Sequence, residues 1–298
     1  DKIGLPAPSG CEIWKDEKLK YHGPLHALKE EVKEYNKRIN NFHPSTMEDL
    51  RDRLRRGEPK NGVCDGTKIH PNGLNGIFTS GQISLSRSGY IEPLTPPMRH
   101  PGICWNFMGF VGDLSFLVHD FQSMCRNLKP HSKIVFMDLG ASLKRGQGPL
   151  ELMDLFEKFG FHFDHIYAFE ITKQEPSDVF EMLPARYLPA YHWINVGISS
   201  DVDSPMNPFQ TILRRFQADD LILVKLDIDT PSIEIPLAKQ LLEDETLSKL
   251  VDQFYFEHHV FLAELARPWG RTMDGTVKES LELFYRLRQR GVPAHFWT

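Results

Sequence analysis

Two short apolar runs, each ending on a carboxylate, constrain this chain more than any other feature: Ile134-Val-Phe-Met-Asp-Leu-Gly-Ala-Ser142 and Ile166-Tyr-Ala-Phe-Glu170. The first turns through Gly140 just after its acidic residue, Asp138. A βαβ unit that binds an adenosine-containing cofactor needs this layout. The glycine lets the backbone pass close to the ligand, and the second carboxylate accepts hydrogen bonds from ribose hydroxyls.

From residue 133 onward the pattern continues. Strands are expected at Ile134–Asp138, His165–Phe169, Trp193–Val196, Leu221–Leu226, Gln253–Glu257 and Ala294–Trp297. Leu221–Leu226 is almost wholly apolar, as a strand covered on both faces requires. Helices are expected near Pro149–Phe159, Ser177–Leu183, Pro208–Phe216, Ile235–Glu243 and Val277–Arg290. Such alternation predicts an α/β fold, a doubly wound, mostly parallel sheet with its ligand crevice at the carboxyl ends of the strands.

The earlier part of the chain has a different texture. Residues 1–104 read as a helical and loop-rich extension that could lid the crevice, ahead of an α/β domain over 105–298. Leu25, Leu28, Val32, Tyr35 and Ile39 recur at helical spacing and predict a helix over 24–41. Ser45-Thr-Met-Glu48 is a capping box opening a second helix, which Gly57 and Pro59 end. Within a Gly-, Asn-, Ser- and Pro-rich stretch, Gly76–Thr79 and Gln82–Leu85 predict a hairpin. Asp113–Leu128 is helical in pattern and leads into the first strand.

A formal net charge of −5 and a pI near 6.2 give no basic face for nucleic acid. No apolar run reaches the roughly 20 residues that span a bilayer. The chain opens on Asp1 rather than Met, so a leading segment is expected before it. Cys11, Cys64, Cys104 and Cys125 show no close Cys-x-x-Cys spacing. They allow two disulfides in any of three pairings, but four reduced thiols is the plainer reading. A weak preference remains for a secretory lumen or a membrane-tethered soluble domain.

The strand tips carry the chemistry. They are Asp138-Leu-Gly140, Glu170, Asn195-Val-Gly-Ile-Ser-Ser-Asp201, Lys225-Leu-Asp-Ile-Asp229 and Glu257-His-His259. In a parallel sheet these tips share one edge. With Glu234 a few residues beyond the fourth, the set resembles the class I S-adenosylmethionine-dependent methyltransferases, most closely the FkbM-type branch and related methyltransferase-like proteins, over roughly residues 105–298. The resemblance implies a Rossmann-like methyltransferase fold. It also implies S-adenosylmethionine held by Asp138, Gly140, Ala141, Ser142, Glu170, Ile171, Gly197, Ile198 and Asp227, and methylation of a small-molecule or glycan hydroxyl. Lys225, Asp229 and His258 are the candidate catalytic residues, with His259 as the alternative base. His258 and His259 alternate across a strand, so only one faces the crevice easily.

The chain departs from the family's pattern in three ways. No Gly-x-Gly follows Asp138, since Ala141-Ser142 stands there and Gly146 and Gly148 follow only after Lys144-Arg145. Asp229-Thr-Pro-Ser follows strand four where the family often has an acidic-Gly-Ala run. The antiparallel seventh strand implied by the resemblance would have to lie beyond Thr298.

Plainer readings stand beside these. Asp227 and Asp229 could flank a divalent metal with Glu257 or His258, but Asp227 as a buried acceptor of backbone N–H groups is at least as good a reading, and a metal is not favoured. A non-catalytic protein of the same fold, acting as a binding or structural module, is the second functional reading. A nicotinamide-dependent dehydrogenase would need Gly-x-Gly-x-x-Gly at the first turn, which this chain lacks.

Overall fold

A computed structural model describes residues 83–85, 89–92, 117–141, 149–261 and 269–297. Six strands form one sheet: β3 (Ile134–Leu139), β4 (His165–Phe169), β5 (Tyr191–Ile194), β6 (Leu221–Leu226), β7 (Gln253–Phe256) and β8 (Ala294–Phe296). Their order is β5-β4-β3-β6-β7-β8, and every pair is parallel. Chain order reverses between β3 and β6, which makes that junction the topological switch point where such sheets bind ligands. β8 pairs directly with β7, and no antiparallel strand joins this sheet among the described residues.

Side chains alternate across the strands and build two cores. Ile134, Phe136, Leu221, Leu223 and Tyr255 face helices α1 (Phe121–Asn127) and α2 (Pro149–Lys158). Val135, Met137, Leu139, Ile222, Val224, Phe254 and Phe256 face the opposite layer. That layer contains helices α5 (Pro231–Glu243), α6 (Glu245–Leu250) and α7 (Val277–Gln289). Between them in sequence come α3 (Pro176–Met182) and the single turn α4 (Pro208–Thr211). α7 opens on the capping box of Thr276 and Glu279, which satisfies two otherwise orphaned N–H groups.

Three expectations change. Of the helix expected over 113–128, residues 113–116 lie outside the described ones, and the described helix is Phe121–Asn127, where Asp120 accepts from Ser123 N–H and caps it. Residues 117–120 are not helical, and Val118 donates its N–H to Glu92 at 2.9 Å. β1 (Ile83–Leu85) pairs antiparallel with β2 (Gly89–Ile91), so the partner of the Gln82–Leu85 run is the segment that follows it. Gly76–Thr79 and the two helices expected before it lie outside the described residues, as do Ser142 and Lys144-Arg145. Cys125 is disulfide-bonded, which overturns the reading of four reduced thiols; its partner also lies outside the described residues.

Glu92, just after β2, ties the hairpin to the far edge of the sheet. Its carboxylate lies 2.8 Å from His295 Nδ1 on β8, and Arg288 of α7 donates to its Oε1 at 3.2 Å and to its carbonyl at 2.7 Å. Burial works to raise this carboxyl, but His295, Arg288 and the Val118 N–H together hold it at about 2. A carboxylate with a depressed folded value stabilises the fold above its unfolded value and loses that contribution as pH falls through the folded one. Here the window runs from about 4.5 down to about 2. The shift corresponds to roughly 3 kcal/mol at neutral pH. Glu92→Gln is therefore expected to cost about 3 kcal/mol at pH 7 in urea unfolding, with the deficit narrowing to about 1 kcal/mol at pH 3. A deficit that stays constant across that range contradicts the assignment.

Candidate functional site

The carboxyl ends of β3, β4, β5 and β6 open on a cleft of about 790 Å³. Its floor is the turn after β3. Gly140 has φ of +96°, a conformation favoured by glycine, and its missing side chain lets the turn lie against the Asp227 backbone. The N–H groups of Gly140 and Ala141 both donate to the Phe169 carbonyl, at 3.0 and 2.8 Å. The turn is therefore fastened to β4, and neither N–H points free into the cleft.

One wall is the tip of β4. Among the described residues the only hydrogen bond to the Glu170 carboxylate comes from the Thr172 N–H, which leaves its second oxygen able to accept from a ligand. Ile171 beside it is 76% exposed, unusual for a large apolar residue. Asn195 holds this segment in place: its amide donates to the carbonyls of Glu170 and Thr172 and accepts from the Gln174 N–H. Gly197 and Ile198 line the cleft on the β5 side, and Asp227, Ile228 and Asp229 line it after β6. Asp229 has φ of +56°, the left-handed conformation that Asp and Asn tolerate better than most.

The structure thus brings together Gly140, Ala141, Glu170, Ile171, Gly197, Ile198, Asp227 and Asp229 of the residues singled out from sequence. Asp138 and Lys225 lie beneath the floor and do not line the cleft. They are register partners on neighbouring strands, and both are buried. Lys225 Nζ lies 3.1 Å from Asp138, 3.0 Å from Asp227 and 2.9 Å from the Gly140 carbonyl. Three donors meet three acceptors. Burial opposes the charge on Lys225, but the two carboxylates hold its pKa above the usual lysine value. The carboxylates share one cation and respond differently. Burial raises Asp138 more than Lys225 lowers it, whereas for Asp227 burial is the largest single influence but Lys225, Glu257 and His259 together outweigh it. Asp227 has the outlet to the cleft and carries the settled charge.

The two histidines part company. His258 turns to the α5–α7 layer, where it stacks on Phe256 and its Nδ1 lies 2.9 Å from Ser280. Burial lowers its pKa to about 4, so it stays neutral there. His259, one residue on, faces the other way. Its Nε2 lies 3.5 Å from Asp229 and 3.3 Å from Glu257. Burial and the charge of Asp227 push the Glu257 carboxyl up to about 7. Glu234 is likewise raised to about 7 by burial; it accepts from the Ile228 N–H at 2.7 Å and so supports the bend that presents Asp229.

No family model, curated protein or solved structure matches the chain. Sequence reading did not pick out Trp269 and Thr272, which brace Glu257 and His259. They stand after strand five in a segment without periodicity, so no pattern in the sequence marks them. Thr172 and Gln174, which line the cleft, were missed for the same reason, and Asp178 because nothing in its helix marks it as facing the cleft.

Proposed function

We propose that this chain is an S-adenosylmethionine-dependent methyltransferase of the class I, FkbM-like kind, acting on a hydroxyl of a small molecule or glycan. One observation carries the reading. The cleft at the switch point is lined by Glu170, Asp178, Asp227 and Asp229, and no described residue that lines it is basic. The N–H groups of Gly140 and Ala141 are already bonded to Phe169. That combination repels a pyrophosphate and suits a nucleoside that carries a positive charge.

When bound, the cofactor supplies the methyl group and its positive sulfonium. Glu170 would hold the ribose hydroxyls through charge-assisted hydrogen bonds. Ile171, Val196 and Ile198 offer apolar surface to the adenine, and the Gly140–Ala141 turn admits the amino-acid tail. Asp229, 73% exposed, is placed to take the proton from an acceptor hydroxyl, with His259 behind it. Lys225 and Asp138 act as positioning residues that hold the turn. The disulfide at Cys125 supports an oxidising compartment. Among the described residues no helix is long and apolar enough to cross a membrane.

A second reading, a protein of this fold without catalysis, draws support from Lys225, whose donors are all engaged away from the cleft. Calorimetry with S-adenosylhomocysteine separates the two: the first reading expects saturable heat, and none at millimolar ligand removes it. Glu170→Ala is expected to weaken that binding by about 1–3 kcal/mol, roughly 5- to 150-fold. An unchanged Kd would take Glu170 out of the site.

A further inference from the structure

We propose that Asp229, Glu257 and His259 form a divalent metal site at the edge of the cleft. One ligand atom from each lies within 4.8 Å of the others. The His259 side chain is 1% exposed, yet among the described residues its Nε2 has no well-formed hydrogen bond; it points between two carboxylates at 3.3 and 3.5 Å. A buried polar atom left this way costs about 1–3 kcal/mol unless something occupies the space.

The surroundings fix which ring nitrogen is available. Thr272 Oγ1 donates its one hydrogen to the Trp269 carbonyl at 2.7 Å. It can therefore only accept from His259, whose Nδ1 lies 2.6 Å away. Nδ1 carries the proton, and in the neutral ring the lone pair of Nε2 is aimed at the two acids. A lone pair facing carboxylates is a repulsive arrangement that a cation between them reverses.

The supporting contacts are those that metal ligands usually have. Thr272 orients the imidazole, Trp269 Nε1 donates to Glu257 Oε1 at 2.9 Å, and the Trp269 ring stacks on His259 with centroids 4.6 Å apart. Two carboxylate oxygens and one imidazole nitrogen suit a divalent ion of intermediate softness, Mn²⁺ or Zn²⁺, better than Ca²⁺ or Cu⁺. Three protein ligands leave coordination positions open. Asp229 is the exposed member and lines the cleft, so with an ion in place it would serve as a ligand and not as a base, and an oxygen of a molecule bound in the cleft could reach the ion.

The test uses the full chain, stripped by chelator and titrated with Mn²⁺, with loss of the free-ion paramagnetic resonance signal as the readout. No other ligand is added, so the result does not depend on what fills the cleft. One Mn²⁺ per chain is expected, displaced by Zn²⁺. Asp229→Asn, at an exposed position, should weaken binding by roughly 100-fold or more, and Thr272→Val by about 10-fold, as for loss of an outer partner. Glu170→Ala should leave it unchanged. Folded protein that binds no Mn²⁺ or Zn²⁺ overturns the site, as does binding that Asp229→Asn and Thr272→Val leave intact. S-adenosylhomocysteine binding, measured separately, can succeed or fail without altering this outcome.

Discussion

Gly140→Ala is expected to destabilise the protein more than any other single-methyl change at the site. A side chain there would place its Cβ 1.6 Å from the Asp227 carbonyl oxygen and 2.6 Å from the carbonyl carbon. The backbone on the other side cannot withdraw easily, because Asp227 N–H donates to the Leu139 carbonyl at 2.9 Å. Gly140 is itself held at both ends, by the Phe169 carbonyl and by Lys225. A φ of +96° adds backbone strain for any L side chain. Strain of about 1–3 kcal/mol and overpacking of about 1–3 kcal/mol or more combine to a large share of a typical stability of about 5–15 kcal/mol. At about 2–4 °C per kcal/mol for a domain of this size class, the melting temperature should drop by roughly 10 °C or more. Gly197→Ala serves as the internal comparison. Its Cβ would meet only the exposed Ile171 side chain, Cδ1 at 2.9 Å and Cγ1 at 3.3 Å, and Gly197 has no positive φ. Scanning calorimetry should rank the two far apart. Similar melting temperatures would mean that the turn is not the rigid floor described here.

That difference shows what was legible in the sequence. Gly140 stood out because a glycine directly after an apolar run and an acid marks a tight turn at a strand tip, and the strands β3, β4 and β6 announced themselves through runs of buried residues. Their register then brought the tips together without further information. Boundaries set by local capping were less visible: Asp120 caps a helix that starts inside the expected pattern, and Asp244 caps a further short helix, α6, beyond the expected end at Glu243, where no helix was expected. Side-chain direction was the hardest to read. Lys225 and Asp229 sit four residues apart in one motif, yet one is sealed under the floor and the other is exposed. His258 and His259 take different partners, Ser280 for one and Thr272 with the two acids for the other. Whether a polar residue at a strand tip reaches the cleft depends on the parity of its position and on the bend after the strand. Composition encodes neither.

Lys225→Met should be the most damaging change that leaves the backbone path intact. Methionine fills similar space but leaves Asp138 buried without its cation and Asp227 with one partner fewer. Removing one member of a buried charged cluster costs about 3–5 kcal/mol, because the remaining charge is left uncompensated. In the wild type the charges of Lys225 and Asp227 should be settled over the middle range of pH. The raised pKa of Lys225 means its contribution is present below the ordinary lysine value, near 10.4, and is lost only as pH rises beyond it. The lowered pKa of Asp227 means its contribution is present above about 3.9 and is lost only below that. The variant should behave differently. Asp138, already raised by burial, loses the cation that restrained it and takes up a proton on folding. Folded protein then binds more protons than unfolded, so the variant gains stability as pH falls, by up to about 1.4 kcal/mol per pH unit. Its deficit in urea unfolding should be largest near pH 8 and shrink toward pH 5. Adding Asp138→Asn should recover part of the loss at pH 8 and little at pH 5, since the residues act as one unit. A Lys225→Met protein within about 1 kcal/mol of wild type at pH 8, or a deficit indifferent to pH, would show that the lysine does not neutralise the acids beneath the cleft.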